Sequence, residues 1–243
     1  MKNLRETIRR VILNEAKFAE LGRLCLYKTR YHPDEKVYVL FRPELIDELI
    51  SKGTKITYDI AADVAKSSDN FIGGVQIQKW GIEPGCYGAW EVTKAIAQDG
   101  FGPVLYDIAM ADNPEGIFAD RSSVTDAAYD MWNFYHKKRY DVDALPMDDV
   151  EKNWTDSAED DCYWGSSGEH YRGDPSNPDL SHQDFLSDPL NYVYRRKPMM
   201  AMKSLKLRSE KHLSRLRRAF PGFQENVLWS FMLEAKFWGR SWN

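Results

Sequence analysis

Residues 97–138, together with the strand predicted just before them, constrain the fold of this chain more than any other part of the sequence. Their apolar spacing and glycines predict a strand, a glycine-bearing loop, a helix, a short strand and a second helix. The first strand lies at 87–96 and the glycine-bearing loop at 97–102. The first helix runs from Pro103 to a turn at 113–116. The short strand lies at 117–119, and the second helix runs from Ser122 or Ser123 to about Lys138. Strands that alternate with helices in this way predict an α/β domain.

The remaining sequence adds elements on both sides of this stretch. An amphipathic helix is predicted at 3–20, strands at 24–27, 36–41, 70–80 and 190–194, and helices at 43–51, 201–219 and 226–238, whereas 57–65 is ambiguous. We therefore divide the chain into an N-terminal helix (1–20), an α/β domain (21–140), an acidic loop-rich insertion (141–190) and a basic, aromatic helical segment (191–243).

Charge is sorted along the second half of the chain. The formal net charge of -4 is nearly balanced, but residues 141–190 hold 14 acidic and 2 basic residues, and 195–218 hold 10 basic and 1 acidic. The basic stretch fits three interpretations: a solvated helix face, a face that neutralises the acidic insertion, or a surface for nucleic-acid phosphates. In the third case the candidate contacts are Arg208, Lys211, Arg215 and Arg218.

Composition excludes some classes of protein. With 43% hydrophobic and 13% aromatic residues, the chain can build a core, so it is not disordered throughout. No stretch approaches the roughly 20 apolar residues of a membrane span, so we expect no membrane partner. Cys25, Cys86 and Cys162 are odd in number and far apart, which favours reduced thiols and a cytoplasmic setting.

The acidic insertion offers only weak metal signals. Cys162, His170 and His182 are irregularly spaced, unlike the ligands of structural zinc sites. The run from Asp156 to Asp161 lacks the glycine and terminal glutamate of a calcium-binding EF-hand loop. We therefore predict a solvated acidic loop and no metal site.

The glycine loop before Pro103 has a design that suits phosphate. The first N–H groups of a helix lack intrahelical acceptors and carry the positive end of the helix dipole, so anions bind there. Gly100 and Gly102 would allow close approach, although Pro103 removes one N–H. The loop matches neither a P-loop nor a dinucleotide-binding fingerprint. A tight strand-to-helix turn without any ligand is the alternative.

The residues around this loop resemble a known family. Gly100-Phe101-Gly102-Pro103-Val104-Leu105-Tyr106, a short strand, then Val124–Ala128 and Trp132–Tyr135 resemble the GNAT superfamily of acyl-coenzyme A-dependent N-acyltransferases. With 119–124 and 139–142 included, the chain is similar to GNAT-like proteins of tailed phages. The resemblance covers roughly 22–140 and is specific over about 97–142. It implies a mixed, mostly antiparallel sheet flanked by helices, here with a C-terminal helical extension.

The resemblance also implies a cofactor site for acetyl-coenzyme A or another acyl-coenzyme A. Its pyrophosphate would bind at Gln98, Asp99, Gly100, Phe101, Gly102 and Val104. Ala97 stands where the family has Arg or Gln, and Gln98 comes one place late. The strand around 90–94 would splay from the strand at 117–119, and the pantetheine arm would lie between them.

Three residues are the candidate catalytic groups for transfer to a small-molecule or protein amine. Tyr135 would protonate the departing thiolate, and Glu91 or Asp120 would deprotonate the amine. Each has a simpler interpretation: Tyr135 and Trp132 as core residues, Glu91 as an exposed strand carboxylate, and Asp120 as part of a surface ion pair.

The N-terminus gives a further hint of a phage origin. A basic amphipathic helix that ends in Leu13-Asn14-Glu15-Ala16 resembles the cleaved capsid-targeting leaders of large tailed phages. The preferred interpretation of this helix is nevertheless that it packs on the sheet. The leading hypothesis is a phage-encoded N-acyltransferase in the host cytoplasm. The alternatives are a non-catalytic protein that binds other virion proteins, and a phage DNA-base modification protein.

Overall fold

The structure is a computed structural model that describes residues 23–52, 57–79, 85–120, 124–148, 154–162, 181–196, 201–221, 228–229 and 231–233. The predicted helix at 3–20 lies outside the described residues. Of the helix predicted at 226–238, the described residues 228–229 and 231–233 are helical.

The described strands form one seven-stranded sheet, which confirms the α/β class and the mostly antiparallel arrangement. They are β1 (Cys25–His32), β2 (Glu35–Phe41), β3 (Phe71–Gln78), β4 (Trp90–Ala97), β5 (Ile117–Ala119), β6 (Asp143–Pro146) and β7 (Tyr192–Arg195), in the spatial order β1-β2-β3-β4-β5-β7-β6. β3 pairs with β4, β5 with β7 and β6 with β7 in antiparallel fashion, whereas β4 and β5 are parallel.

Helices connect and cover these strands. They are α1 (Glu44–Ser51), α2 (Tyr58–Ser67), α3 (Gly102–Asp112), α4 (Asp126–Lys138), α5 (His182–Ser187) and α6 (Ala201–Ala219). The ambiguous segment at 57–65 is therefore helical, and the Thr57 side chain caps it by accepting a hydrogen bond from the Ile60 N–H. None of the helices in the described part of the chain combines the length and apolar character that a membrane span requires.

The chain divides into two units. The first comprises the described residues of 1–27, 39–72 and 200–243. Within it, α1 and α6 lie side by side, with the ion pair between Asp47 and Arg215 linking them. The Trp229 ring stacks on Phe41 with centroids 4.9 Å apart, so the C-terminal aromatic segment contributes directly to this core.

The second unit comprises Lys28–Tyr38 and Gly73–Met199 and contains the candidate site. Parallel strands need a crossover connection, and α3 supplies it between β4 and β5. The helix is apolar on most sides, and its buried residues include Leu105, Ile108 and Ala109. It therefore lies against β4 and β7 rather than in solvent.

The acidic insertion contributes to the fold, so the prediction of a purely solvated excursion was wrong. β6 lies inside it, and Met147, Cys162 and Phe185 are buried. Asp148 and Asp160 are buried as well, with 2% and 5% of their surface exposed. The composition of the insertion predicted a solvated loop because acidic, glycine-rich and proline-rich segments are usually solvated.

The prediction that the cysteines remain reduced was also wrong for two of them. Cys86 and Cys162 form a disulfide with their Cα atoms 4.6 Å apart, across 76 residues of sequence. Cys25 is buried and is not part of a disulfide. The disulfide joins the turn before β4 to the acidic insertion, next to a small apolar cluster that includes Ala89, Phe118 and Val193.

This pairing predicts the thiol count of the purified protein. Denaturation without reductant and reaction with a thiol reagent should label one cysteine per chain, Cys25, because the other two share a disulfide. The same experiment after reduction is the control and should label three. Three labelled cysteines without reduction would contradict the disulfide.

Candidate functional site

The β4–β5 pair defines the edge at which the candidate site lies. Its parallel register consists of three residue pairs and ends at Val92 and Ala119. On its other side β4 pairs with β3 as far as Ala97. β4 therefore continues for five residues beyond the end of its ladder with β5, and the glycine loop follows directly.

The loop makes a tight turn into α3. The Phe101 N–H donates to the Gln98 carbonyl at 3.0 Å, and Gly100 has a φ of 81°, a left-handed conformation that favours glycine. Asp99 and Gly100 are exposed, whereas Phe101 is buried. Because the first-turn N–H groups of a helix have no intrahelical acceptor, the amides of Gly102 and Val104 face the loop end of α3.

Gly102 lies close to α4. A methyl group built on Gly102 would lie 2.7 Å from the terminal carbon of Met131 on α4, at the end of a flexible side chain that can move aside. Of the two glycines, Gly100 is therefore the one that the backbone conformation of the turn requires.

Tyr135 lies beside this same end of α3. Its hydroxyl is 2.8 Å from the Pro103 carbonyl oxygen and 2.9 Å from Oδ1 of Asp107, and the side chain is 1% exposed. Burial and the Asp107 carboxylate raise the pKa of Tyr135 well above its usual range, so the hydroxyl keeps its proton at neutral pH. Its role as a general acid stays a prediction.

A charge network around Asp107, buried at Asp107 and exposed at Asp141, was not predicted from the sequence. Arg139 and Arg196 both form ion pairs with Asp107, and both also pair with Asp141. The hydrogen bond from Arg139 lowers the pKa of Asp141. The network joins α3, the end of α4 and the segment after β7. A signal was present, because Asp107 is the single charged residue between Val104 and Ala111 of an apolar helix.

Trp132, the other aromatic residue considered on α4, belongs to the core. It is 1% exposed, its ring stacks on Tyr194 with centroids 5.2 Å apart, and it meets the edge of Tyr106 at 5.0 Å. The core interpretation of Trp132 is thereby confirmed. Tyr135 shares this cluster, although its hydroxyl is engaged in polar contacts.

The two candidate bases belong to the β4–β5 pair. Glu91 lies in register with Phe118 and is 2% exposed, so its interpretation as an exposed strand carboxylate was wrong. Asp120 follows the last residue of β5 and is partly exposed. Glu91 and Asp120 thus belong to one strand pair, whereas Tyr135 contacts the first turn of α3.

The candidate nucleic-acid residues lie on α6 of the other unit. Lys211, Arg215 and Arg218 are exposed at helical spacing on one face, opposite the buried Leu213 and Leu216, and the side chain of Arg208 is outside the described residues. Arg215 and Arg217 pair with Asp47 and Glu210. Among the described ion pairs, Arg196 does reach the acidic insertion, at Asp141.

Comparison with known proteins found no matching family model, no matching curated protein and no matching solved structure. The class of protein is therefore defined by the fold alone: an α/β protein whose described strands form a mixed, mostly antiparallel sheet that includes the parallel pair β4 and β5.

The contacts of Tyr135 predict the effect of removing its hydroxyl. Tyr135→Phe should lower the free energy of unfolding by about 1–2 kcal/mol, because the buried Asp107 carboxylate loses a donor. Urea denaturation measures this. Tyr140→Phe, at a fully exposed tyrosine, is the matched control and should change the free energy of unfolding by less than about 0.5 kcal/mol. Equal stability of the two variants would contradict the described contacts.

Proposed function

We propose that this protein is an acyl-coenzyme A-dependent N-acyltransferase with a GNAT-like fold. The observation that carries the proposal is the unit formed by β4, the glycine loop, α3 and β5. In it, a parallel strand pair ends after three residue pairs, and β4 continues into a helix N-terminus. The mostly antiparallel sheet around this unit is the architecture that the sequence resemblance implies.

The loop end of α3 suits the pyrophosphate of the cofactor. The amides of Gly102 and Val104 offer N–H donors at the positive end of the helix dipole, next to an exposed turn. Asp99 is exposed at the same turn and places a negative charge there. That charge would weaken the binding of an anion, and the absence of an Arg or Gln at Ala97 acts in the same direction.

The reaction needs few protein groups beyond those that bind the substrates. Acyl-coenzyme A supplies an acyl group activated as a thioester. In the proposal, Glu91 takes the proton of the acceptor ammonium, so that the amine nitrogen can form a bond to the acyl carbon as the carbon–sulfur bond breaks. A carboxylate buried in β4 supports this role, since buried acids in a sheet are rare without a structural or chemical reason.

In the same proposal, Tyr135 fixes the first turn of α3 through its contacts with Pro103 and Asp107. Three further statements stay predictions of the sequence resemblance. They are that Tyr135 delivers its proton to the thiolate, that Asp120 acts as a base, and that the protein comes from a phage. The exposed basic face of α6 favours DNA as a second candidate partner, because lysine and arginine at helical spacing can follow a phosphate backbone.

Cofactor binding is the first test of the proposal. Acetyl-coenzyme A at about 1 mM should raise the melting temperature by about 5 °C, as expected for a ligand at many times its dissociation constant. Asp99→Lys should tighten binding several-fold at low salt by removing the repulsion at the loop. Asp130→Lys, at an exposed acid of α4, makes the same charge change and should have less effect. No stabilisation of the wild-type protein would contradict the proposal.

If Glu91 is the base, its substitution should slow acetyl transfer without weakening the binding of acetyl-coenzyme A. Glu91→Gln should reduce acetyl transfer to a panel of primary amines at least about 100-fold, because the base is lost, and should leave acetyl-coenzyme A affinity within about twofold. Release of the free thiol measures transfer, and calorimetry measures affinity. Transfer by the variant at the wild-type rate would exclude Glu91 as the base.

A further inference from the structure

A compact group of three carboxylates lies in the acidic insertion, next to the disulfide. One oxygen from each of Asp148, Asp160 and Asp161 lies within 4.8 Å of the others. Asp148 and Asp160 are 2% and 5% exposed, and Asp161 is half-buried. Three acidic side chains gathered out of water repel one another unless something compensates their charge.

Among the described residues, hydrogen bonds engage one carboxylate oxygen of Asp148 and one of Asp160 and leave the other oxygen of each without a partner. Oδ2 of Asp148 accepts from the backbone N–H groups of Trp154 and Thr155, each at 2.9 Å. Oδ2 of Asp160 accepts from the Thr155 hydroxyl at 2.9 Å. In the described part of the chain, Oδ1 of Asp148, Asp160 and Asp161 is buried and has no hydrogen-bond partner. These three atoms are the ones available to a ligand.

The backbone holds the three residues in place. The Cys86 N–H donates to the Asp161 carbonyl at 2.6 Å, the Cys162 N–H donates to the Asp148 carbonyl at 2.7 Å, and the Asp148 N–H donates to the Asp160 carbonyl at 3.0 Å. The disulfide between Cys86 and Cys162 closes the same arrangement. The carboxylates therefore sit on a braced scaffold and not on a free loop, which favours specific coordination.

We propose that Asp148, Asp160 and Asp161 bind a hard divalent cation, Ca²⁺, through their Oδ1 atoms. The donor set consists of carboxylate oxygens, which suit Ca²⁺ or Mg²⁺ and not the softer transition metals. Water molecules or backbone carbonyls complete the six to eight oxygen ligands that Ca²⁺ takes. The bound ion replaces the repulsion among the carboxylates with attraction and links Asp148 to Asp160 and Asp161 within the acidic insertion. This site is independent of the proposed acyltransferase function.

Burial and the neighbouring Asp160 raise the pKa of Asp148. A proton bound between carboxylates, instead of a cation, is therefore the alternative way to relieve the repulsion among them. The two means differ in a measurable way. A cation site gains stability when Ca²⁺ is added at neutral pH, whereas a carboxyl pair that shares a proton does not respond to Ca²⁺.

The experiment uses the full chain with its disulfide intact, freed of metal with a chelator. Calorimetry with Ca²⁺ should give one site per chain, and Ca²⁺ should raise the melting temperature by at least about 3 °C at saturation. Tb³⁺, a luminescent substitute for Ca²⁺, should emit on tryptophan excitation, because the backbone N–H of Trp154 donates to Asp148. Excess Ca²⁺ should abolish this emission by displacing the ion.

Single substitutions test whether these three aspartates are the Ca²⁺ ligands. Asp148→Asn and Asp160→Asn should each weaken Ca²⁺ binding at least about tenfold, since each removes a charged ligand. Asp156→Asn makes the same change at an exposed position of the same loop and should bind like the wild type. If a buried variant fails to fold, as judged by circular dichroism, Asp161→Asn at the half-buried position replaces it. The proposal is overturned if the wild type shows no Ca²⁺ response at about 10 mM, or if Asp156→Asn lowers affinity as much as Asp148→Asn.

Discussion

The parallel pairing of β4 with β5 is the constraint on which the candidate site depends. Because parallel neighbours cannot be joined by a hairpin, the chain must leave β4, cross over and return in the same direction. This requirement explains the left-handed turn at Gly100, the apolar character of α3 and its position against β4 and β7. It also places the start of a helix at the end of β4, which is the arrangement from which an anion site can be built.

A buried network of charge holds this crossover in place. Asp107 on α3 is paired with Arg139 at the end of α4 and with Arg196 after β7, while the Tyr135 hydroxyl contacts it from α4. Charges taken out of water are costly unless they are paired, and here each arginine pairs with both Asp107 and Asp141. The network therefore links α3 to the end of α4 and to the segment after β7.

The sequence predicted the elements whose signals are local. The strand at 87–96, the glycine loop and the strand at 117–119 correspond to β4, the turn at Gly100 and β5, because spacing and turn residues are properties of neighbouring positions. Features that depend on distant residues were missed. The Cys86–Cys162 disulfide spans 76 residues, and β6 is a strand because it pairs with β7.

Burial of polar residues was the hardest property to predict. Glutamate in a strand is usually exposed, yet Glu91 is buried. Asp148 and Asp160 are buried in a segment whose composition is that of a solvated loop. Their burial follows from partners far along the chain, such as Phe118 beside Glu91 in the register and the turn at Cys86 beside Asp161. Asp107 was missed as well, although a single acid within an apolar helix is a signal visible in the sequence.

The central proposal is that the end of β4 and the start of α3 form the binding site for acyl-coenzyme A. Hydrogen–deuterium exchange with and without acetyl-coenzyme A tests it most directly, because it reports which backbone amides the cofactor protects. We expect slower exchange in peptides that cover 93–105 and unchanged exchange in peptides that cover 209–219 on α6. Unchanged exchange at 93–105 in the presence of bound cofactor, or protection confined to α6, would contradict it.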